Sequence, residues 1–212
     1  MQLFLFFGNL SFFPYSKEMG DLKMLLLLFS FIVSKAEPSN NFGTNLAKAG
    51  TSIEDASIVY DPAYVRIPYP NGDVPAKTGV CTDVIIRAYR KMGIDLQKEV
   101  HEDIKHNPSK YPNIKKPDSN IDHRRVPNLA RFFTRHGTSL STEIKPQNYL
   151  PGDIVWWKLG GPKGLNHIGL VVEKRSKEGS RPLVIHNIGG GQVIEDILFS
   201  HHIQGHYRYT GK

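Results

Sequence analysis

The chain has 212 residues, a net charge of +7 and a single cysteine, Cys81. The positive charge favours acidic partners such as anionic cell-wall polymers, but the basic residues are scattered along the sequence, which argues against a nucleic-acid-binding groove. One cysteine excludes an internal disulfide, and the length suffices for one domain with a hydrophobic core.

The first 36 residues indicate a secretory signal peptide. Met24 to Val33 is almost wholly apolar, and Ser34-Lys35-Ala36 places small residues at the two positions that a signal peptidase reads. The apolar run is too short to span a bilayer, which takes about 20 apolar residues. A weak basic region follows Met19, so we expect translation to start at Met19 or Met24 and the numbered N-terminus to be an upstream misassignment. An uncleaved membrane anchor is the alternative.

Cleavage after residue 36 would leave a mature chain that begins at Glu37 and carries a net charge of +6. We expect this chain to be periplasmic or otherwise exported, monomeric and without stable membrane insertion. In an exported protein with one cysteine, the thiol is buried, paired with another molecule or used chemically.

The first half of the mature chain is predicted to be helical. A polar leader over 37–45 precedes a short helix, and the region 37–59 stands apart from a single domain over 60–212. Within that domain, apolar residues three and four apart predict three further helices, which end near Gly93, Asn107 and Gly137. The four predicted helices cover Leu46 to Ala56, Cys81 to Met92, Leu96 to Ile104 and Val126 to Arg135.

The second half is predicted to be β-structure. Short β-prone runs are separated by Gly, Pro or charged turns, and they cover Asp153 to Trp157, Ile168 to Val172, Leu183 to Ile188, Val193 to Leu198 and His206 to Tyr209. Helices first and an antiparallel meander second predict an α+β fold, in which N-terminal helices pack on a C-terminal antiparallel sheet.

Cys81 lies where the second predicted helix begins. The positive end of the helix dipole and the unpaired backbone N–H groups there favour a thiolate. Downstream, His167 and His186 each lie within an apolar, strand-like run. A cysteine on a helix and a histidine on a strand are the components of a papain-like cysteine hydrolase. The alternative is that Cys81 is a small buried hydrophobic residue and that both histidines are core residues.

The chain resembles a known family in several motifs. The combination that covers most of residues 60–210 is similar to the bacterial exported family catalogued as domain of unknown function 1287, and it consists of GVCTDVIIRAYRKMGIDLQ, NIDHRRVPNL, RHG, PGDIVWW, NHIGLVV, VIHNIG and GHYRY. The order of the cysteine, PGD and two histidine motifs also resembles the NlpC-type cell-wall peptidases, a papain-like superfamily. Val80-Cys81-Thr82-Asp83 departs from the Asp-Cys-Ser-Gly of that superfamily, and the loop between the histidine strands is longer, so the substrate stays open.

The resemblance implies catalytic roles for three residues. Cys81 would attack an amide carbonyl as a thiolate, with its own backbone N–H as the first oxyanion donor. His167 would form an ion pair with the thiolate and then protonate the leaving amine. His186 would orient His167, although Asn187 could orient an imidazole equally well. Because neighbouring strand residues face opposite sides, only one of the two reaches His167.

Four further residues are candidate substrate-binding groups. Tyr69 lies twelve residues before Cys81, where the superfamily often has a tyrosine, and the alternative is a turn aromatic that packs on prolines. Asp83 either caps the helix or contacts a substrate amine. Arg124 or Arg125 would bind a carboxylate, unless both belong to a salt-bridge network that fixes the loop.

No metal or cofactor is expected. The histidines of His101 to His106 are five residues apart and do not share a helix face, unlike those of a zinc-peptidase motif. Asp118 to Asp122 begins like a calcium loop but has His123 where the loop needs glycine.

These observations predict an exported cysteine hydrolase that cleaves an amide bond, in peptidoglycan peptides or another small amide, through Cys81, His167 and His186. Two alternatives remain open. The first is a catalytically silent cell-wall-binding module, and the second is a papain-like acyltransferase or lipid amidase.

Overall fold

The computed structural model describes residues 41–211. The predicted signal peptide over 1–36 and residues 37–40 of the predicted leader lie outside the described residues. Within these residues, four α-helices of eleven residues each occupy the first part: α1 (Asn41–Thr51), α2 (Cys81–Lys91), α3 (Leu96–His106) and α4 (Val126–His136). Among the described residues, no helix is long and apolar enough to cross a bilayer.

The strands follow the helices, except for one short pair. β1 (Val59–Tyr60) and β2 (Thr78–Gly79) pair in parallel just before α2. Six antiparallel strands form the main sheet in the order β3-β8-β4-β5-β6-β7. Their bounds are β3 (Thr138–Ser139), β4 (Ile154–Leu159), β5 (Leu165–Arg175), β6 (Pro182–His186), β7 (Val193–Glu195) and β8 (His202–Arg208).

The core lies between the helices and one face of the sheet. Helices α1 and α2 both contact β5, the strand that carries His167. Gly50 permits the close approach of α1, because a Cβ atom there would lie 2.6 Å from Cδ2 of Leu170. Helix α2 buries the face that contains Val84, Ile85, Ala88 and Tyr89, as its apolar spacing predicts. The first residue of α2, Cys81, is thereby held against the sheet.

Asp153 joins the PGD and GHYRY motifs in a structural anchor. Its buried carboxylate accepts hydrogen bonds from Nε (2.7 Å) and Nη2 (3.0 Å) of Arg208 and from the backbone N–H of Leu150 (2.8 Å), and Nε2 of His206 lies 3.0 Å away. A buried carboxylate is stable only when donors satisfy its oxygens. Both motifs therefore fix β4 against β8.

The α+β fold is confirmed, with differences in the element ends. Helix α1 begins at Asn41, inside the predicted polar leader, and ends at Thr51 rather than Ala56. Strand β8 begins four residues before the predicted His206. Strand β5 extends the apolar run at both ends. As a central strand it has neighbours on both sides, and their hydrogen bonds extend it beyond its apolar residues.

Candidate active site

Cys81 is the first residue of α2 and lines a cavity of about 1100 Å³. Its side chain is buried, with 5% of the residue exposed. Backbone N–H groups of Ile168, Thr82 and Cys81 itself face the sulfur and favour its thiolate form. The thiol thus lies where a helix start meets strand β5.

His167 of β5 lines the same cavity. Its ring stacks on Trp157 of the neighbouring strand β4, with the ring centroids 5.7 Å apart. Gly169 makes room for this packing, because a Cβ atom there would lie 3.1 Å from the Trp157 ring and 2.6 Å from Cγ1 of Val184. The spacing of histidine and glycine in NHIGLVV therefore has a packing origin.

His186, the last residue of β6, contacts His167. Nε2 of His167 lies 3.1 Å from Nδ1 of His186, and the two rings meet edge to face. Asn187 turns elsewhere: its Nδ2 donates to the carbonyl of Gly79 at 3.3 Å and its Oδ1 accepts from the N–H of Gly189 at 3.0 Å. The structure thus brings His186 to His167, and Asn187 to the strand before the cysteine.

Glu195 of β7 completes a row of polar groups. Its Oε2 lies 2.9 Å from Nε2 of His186, off the line of an aligned hydrogen bond, so the contact is electrostatic. A carboxylate at this distance favours the proton of His186 on Nε2, which leaves Nδ1 as an acceptor. Nε2 of His167 then donates to His186, and Nδ1 of His167 carries the lone pair. The lone pair that His167 can offer to another group therefore lies on Nδ1.

Burial holds both members of the candidate pair in their neutral forms. It raises the pKa of Cys81 to about 11, and the nearby Asp83 carboxylate acts in the same direction against the backbone N–H groups. Burial, with smaller contributions from the neighbouring His186 and His201, also lowers the pKa of His167 to about 3. Near neutral pH these shifts favour a thiol on Cys81 and a neutral imidazole on His167. This differs from the ion pair that the sequence predicts.

Residues 46–209 match the family described as "Domain of unknown function (DUF1287)". The chain is also 52% identical over 174 residues to the "Uncharacterized protein YijF" of Escherichia coli (strain K12), across 80% of this chain and 83% of that protein. The chain belongs to the DUF1287 family. The match contains Cys81, His167, His186 and Glu195, so all four lie within the DUF1287 domain.

Asp83 and Arg124 of this DUF1287 domain pair with each other. Nε and Nη2 of Arg124 each donate to the Asp83 carboxylate at 2.9 Å, and both side chains are almost fully buried. Asp83 also accepts from the backbone N–H of Val80 at 2.7 Å, which caps α2. Because Asp83 and Arg124 neutralise each other, neither has a free charge for the contact with substrate that the sequence predicts. Their hydrogen bonds fix the helix start that carries Cys81.

We expect Asp83→Asn to destabilise the protein by about 3–5 kcal/mol, because the guanidinium of Arg124 stays buried without its counter-charge. The matched control is Asp196→Asn, which breaks a partly exposed ion pair with Arg181 and should cost less than about 1 kcal/mol. Urea unfolding of the two variants measures the difference. Equal midpoints would mean that burial adds nothing to the Asp83 pair.

Tyr69 lies away from the cavity, contrary to its predicted role beside the nucleophile. Its hydroxyl donates to Glu102 at 2.7 Å, and its ring meets His101 edge to face at 5.3 Å, both on α3. Tyr60 lines the cavity with Cys81 instead. The parallel β1–β2 pair places Tyr60 opposite Gly79, two residues before the cysteine.

Sequence reasoning missed Tyr60 and Glu195. The segment between Tyr60 and Cys81 contains no strand or helix besides β2, so its path could not be predicted from local patterns. The sequence therefore contains no sign that Tyr60 lies on the same cavity as Cys81. Glu195 follows the turn after β6, where a hairpin was predictable from the glycines but its register was not. The described residues contain no group of three or more His, Cys, Asp or Glu side chains that could hold a metal ion.

Proposed function

We propose that this protein is a cysteine hydrolase with a papain-like fold of the NlpC type, which cleaves an amide bond through Cys81 and His167. One observation carries the proposal. A cysteine at a helix start and a histidine on the adjoining strand line one cavity, and the histidine is backed by His186. Covalent acyl transfer uses a nucleophile, a base and an orienting group, and these three residues supply one of each type.

The reaction begins with a neutral pair. As the sulfur of Cys81 attacks the substrate carbonyl, Nδ1 of His167 takes the thiol proton, and the oxyanion that forms accepts from the backbone N–H of Cys81. His167 then gives the proton to the departing amine, and the acyl group remains on sulfur as a thioester. Water attacks the thioester with His167 as base, which releases the acid and restores the thiol.

His186 and Glu195 support the imidazolium that forms on His167. Nδ1 of His186 accepts from Nε2 of His167 and keeps its ring in place. The carboxylate of Glu195 stabilises the positive charge through His186. We therefore assign both as positioning residues, which act through His167.

The substrate that we propose is a peptide of peptidoglycan, and the place of action is the periplasm or its equivalent. The cavity of about 1100 Å³ is large enough for a peptide chain, and the positive net charge suits an anionic polymer. The resemblance of the cysteine and histidine motifs to those of the NlpC-type cell-wall peptidases supports the same substrate class. We propose a monomeric enzyme that needs no cofactor.

A second candidate is a cell-wall-binding module that has the fold without turnover. The burial of Cys81 and the high pKa of its thiol favour this candidate, because a neutral thiol is a weak nucleophile. The two candidates differ in a single readout. Peptidoglycan peptides incubated with the full chain gain new amino termini in mass spectrometry only if the protein is a hydrolase.

We expect iodoacetamide to label the native protein slowly at about pH 8, with a rate that rises about tenfold per pH unit toward pH 10, because the pKa of Cys81 is raised to about 11. Cys81 is the only cysteine, so mass spectrometry of the whole chain reports on this thiol alone. The same chain unfolded in urea is the control, and its labelling rate should level off near pH 9. A plateau below about pH 7 in the native protein would instead indicate a thiolate–imidazolium pair.

A further inference from the structure

The cavity that contains Cys81 and His167 has a charged wall. The wall belongs to the segment 113–128, between α3 and the first turns of α4. Six charged side chains of this segment line the cavity: Lys115, Lys116, Asp118, Asp122, Arg124 and Arg125. Which of them remain free to bind a substrate follows from their partners.

The two acidic side chains are already engaged. Oδ2 of Asp118 accepts from the hydroxyl of Tyr64 at 3.0 Å, and its Oδ1 accepts from the backbone and side-chain N–H groups of Asn120 at 2.9 and 2.8 Å. Asp122 is buried, with Oδ2 2.8 Å from Nδ1 of His101. Neither carboxylate is placed to bind a cationic substrate.

The basic side chains divide into one that is engaged and three that are free. Arg124 is bound to Asp83 on two nitrogens. Lys115, Lys116 and Arg125 are exposed, and within residues 41–211 no carboxylate pairs with them. The wall therefore presents a positive charge to a ligand, and the N–H donors of these three side chains are not used by a carboxylate of the described residues.

The other side of the lining is apolar. Leu165 at the start of β5 is 77% exposed, and Ile188 after β6 is 45% exposed, although both are large hydrophobic residues. Exposed apolar residues beside a cavity are typical of a binding surface. The lining as a whole suits a chain that carries anionic groups and apolar atoms together.

We propose that Lys115, Lys116 and Arg125 bind the carboxylates of an acidic peptide and thereby select the substrate. This rests on the proposed function for the identity of the cavity as a peptide site. Arginine binds carboxylates through two parallel N–H groups, and lysine contributes a point charge. Because the three side chains are exposed, their contribution is screened by salt and should fall as ionic strength rises.

The test compares peptidoglycan peptides in two forms, native and with their carboxylates converted to amides by carbodiimide and ammonium ion. Binding is measured by calorimetry on the full chain that carries Cys81→Ala, so that no turnover interferes. A triple variant removes the charges by Lys115→Gln, Lys116→Gln and Arg125→Gln. We expect the triple variant to bind the native peptides at least about tenfold more weakly than the Cys81→Ala protein does. The two proteins should bind the amidated peptides with equal affinity.

The control removes three exposed lysines elsewhere through Lys163→Gln, Lys174→Gln and Lys177→Gln, with the same change in net charge. It should bind the native peptides like the parent protein. Equal binding of native and amidated peptides, or no binding of either, overturns the proposal. If the Cys81→Ala protein binds the native peptides selectively but the parent protein does not cleave them, carboxylate recognition is supported and the hydrolase is contradicted. If the parent protein cleaves both peptide forms at equal rates, the hydrolase is supported and carboxylate recognition is contradicted.

Discussion

Cys81→Ser is expected to fold normally and to lose turnover by at least about 10³-fold. Serine differs from cysteine by one atom, and the buried site already presents backbone N–H groups that can bond to oxygen. The hydroxyl is a far weaker nucleophile and a weaker acid than the thiol near neutral pH, so His167 activates it much less. Release of new amino termini from peptidoglycan peptides measures the loss, and thermal unfolding reports on the fold.

His167→Ala provides the comparison for this prediction. Residues that act as one unit have non-additive effects, so a double variant with Cys81→Ala should be no slower than either single variant. Independent losses that multiply in the double variant would contradict a shared step. A folded Cys81→Ser protein with the activity of the parent would exclude the cysteine mechanism.

The elements that carry the candidate site were predictable from local patterns. The apolar spacing that follows Cys81 predicts α2, and the β-prone runs around His167 and His186 predict β5 and β6. Helix periodicity and strand alternation are local properties of a sequence, so the elements and their order follow from them. To predict that His186 approaches His167, one further fact is needed, namely that β5 and β6 are antiparallel neighbours.

The environment of Cys81 was not predictable in the same way. A helix start alone favours a low pKa, and the sequence reasoning used that effect. The opposite shift comes first from the burial of the thiol and then from Asp83, whose carboxylate lies near it, and it outweighs the backbone N–H of Ile168, which acts the other way. Burial depends on how α2 meets the sheet across nearly ninety residues of chain, and a local pattern does not contain that information.

The role of Arg124 shows the same limit. The sequence offered a choice between a carboxylate-binding arginine and a loop-fixing ion pair, and its neighbour Arg125 fitted equally well. Only the tertiary structure distributes the roles, with Arg124 buried on Asp83 and Arg125 exposed on the cavity wall. The Arg124–Asp83 pair connects the segment before α4 to the start of α2.

His186→Ala is expected to slow turnover by about 10-fold to 10⁴-fold and to leave Cys81 and His167 in place. The loss has two physical sources. The ring of His167 loses the acceptor that lies 3.1 Å from its Nε2, and the charge on His167 during the reaction loses the contact that reaches Glu195. Steady-state cleavage of peptidoglycan peptides gives the size of the effect.

Asn187→Ala is the matched control, because it changes the next residue along the chain and removes hydrogen bonds to Gly79 and Gly189 without touching His167. We expect a loss of stability of about 1 kcal/mol per hydrogen bond and an activity close to that of the parent. The turnover of Glu195→Gln should lie between those of the two variants, because the carboxylate of Glu195 is half exposed and acts only through His186. If Asn187→Ala were the crippled variant and His186→Ala worked normally, Asn187 would be the orienting group. The assignment of Cys81 and His167 as the reacting pair would survive that result, since both line the cavity.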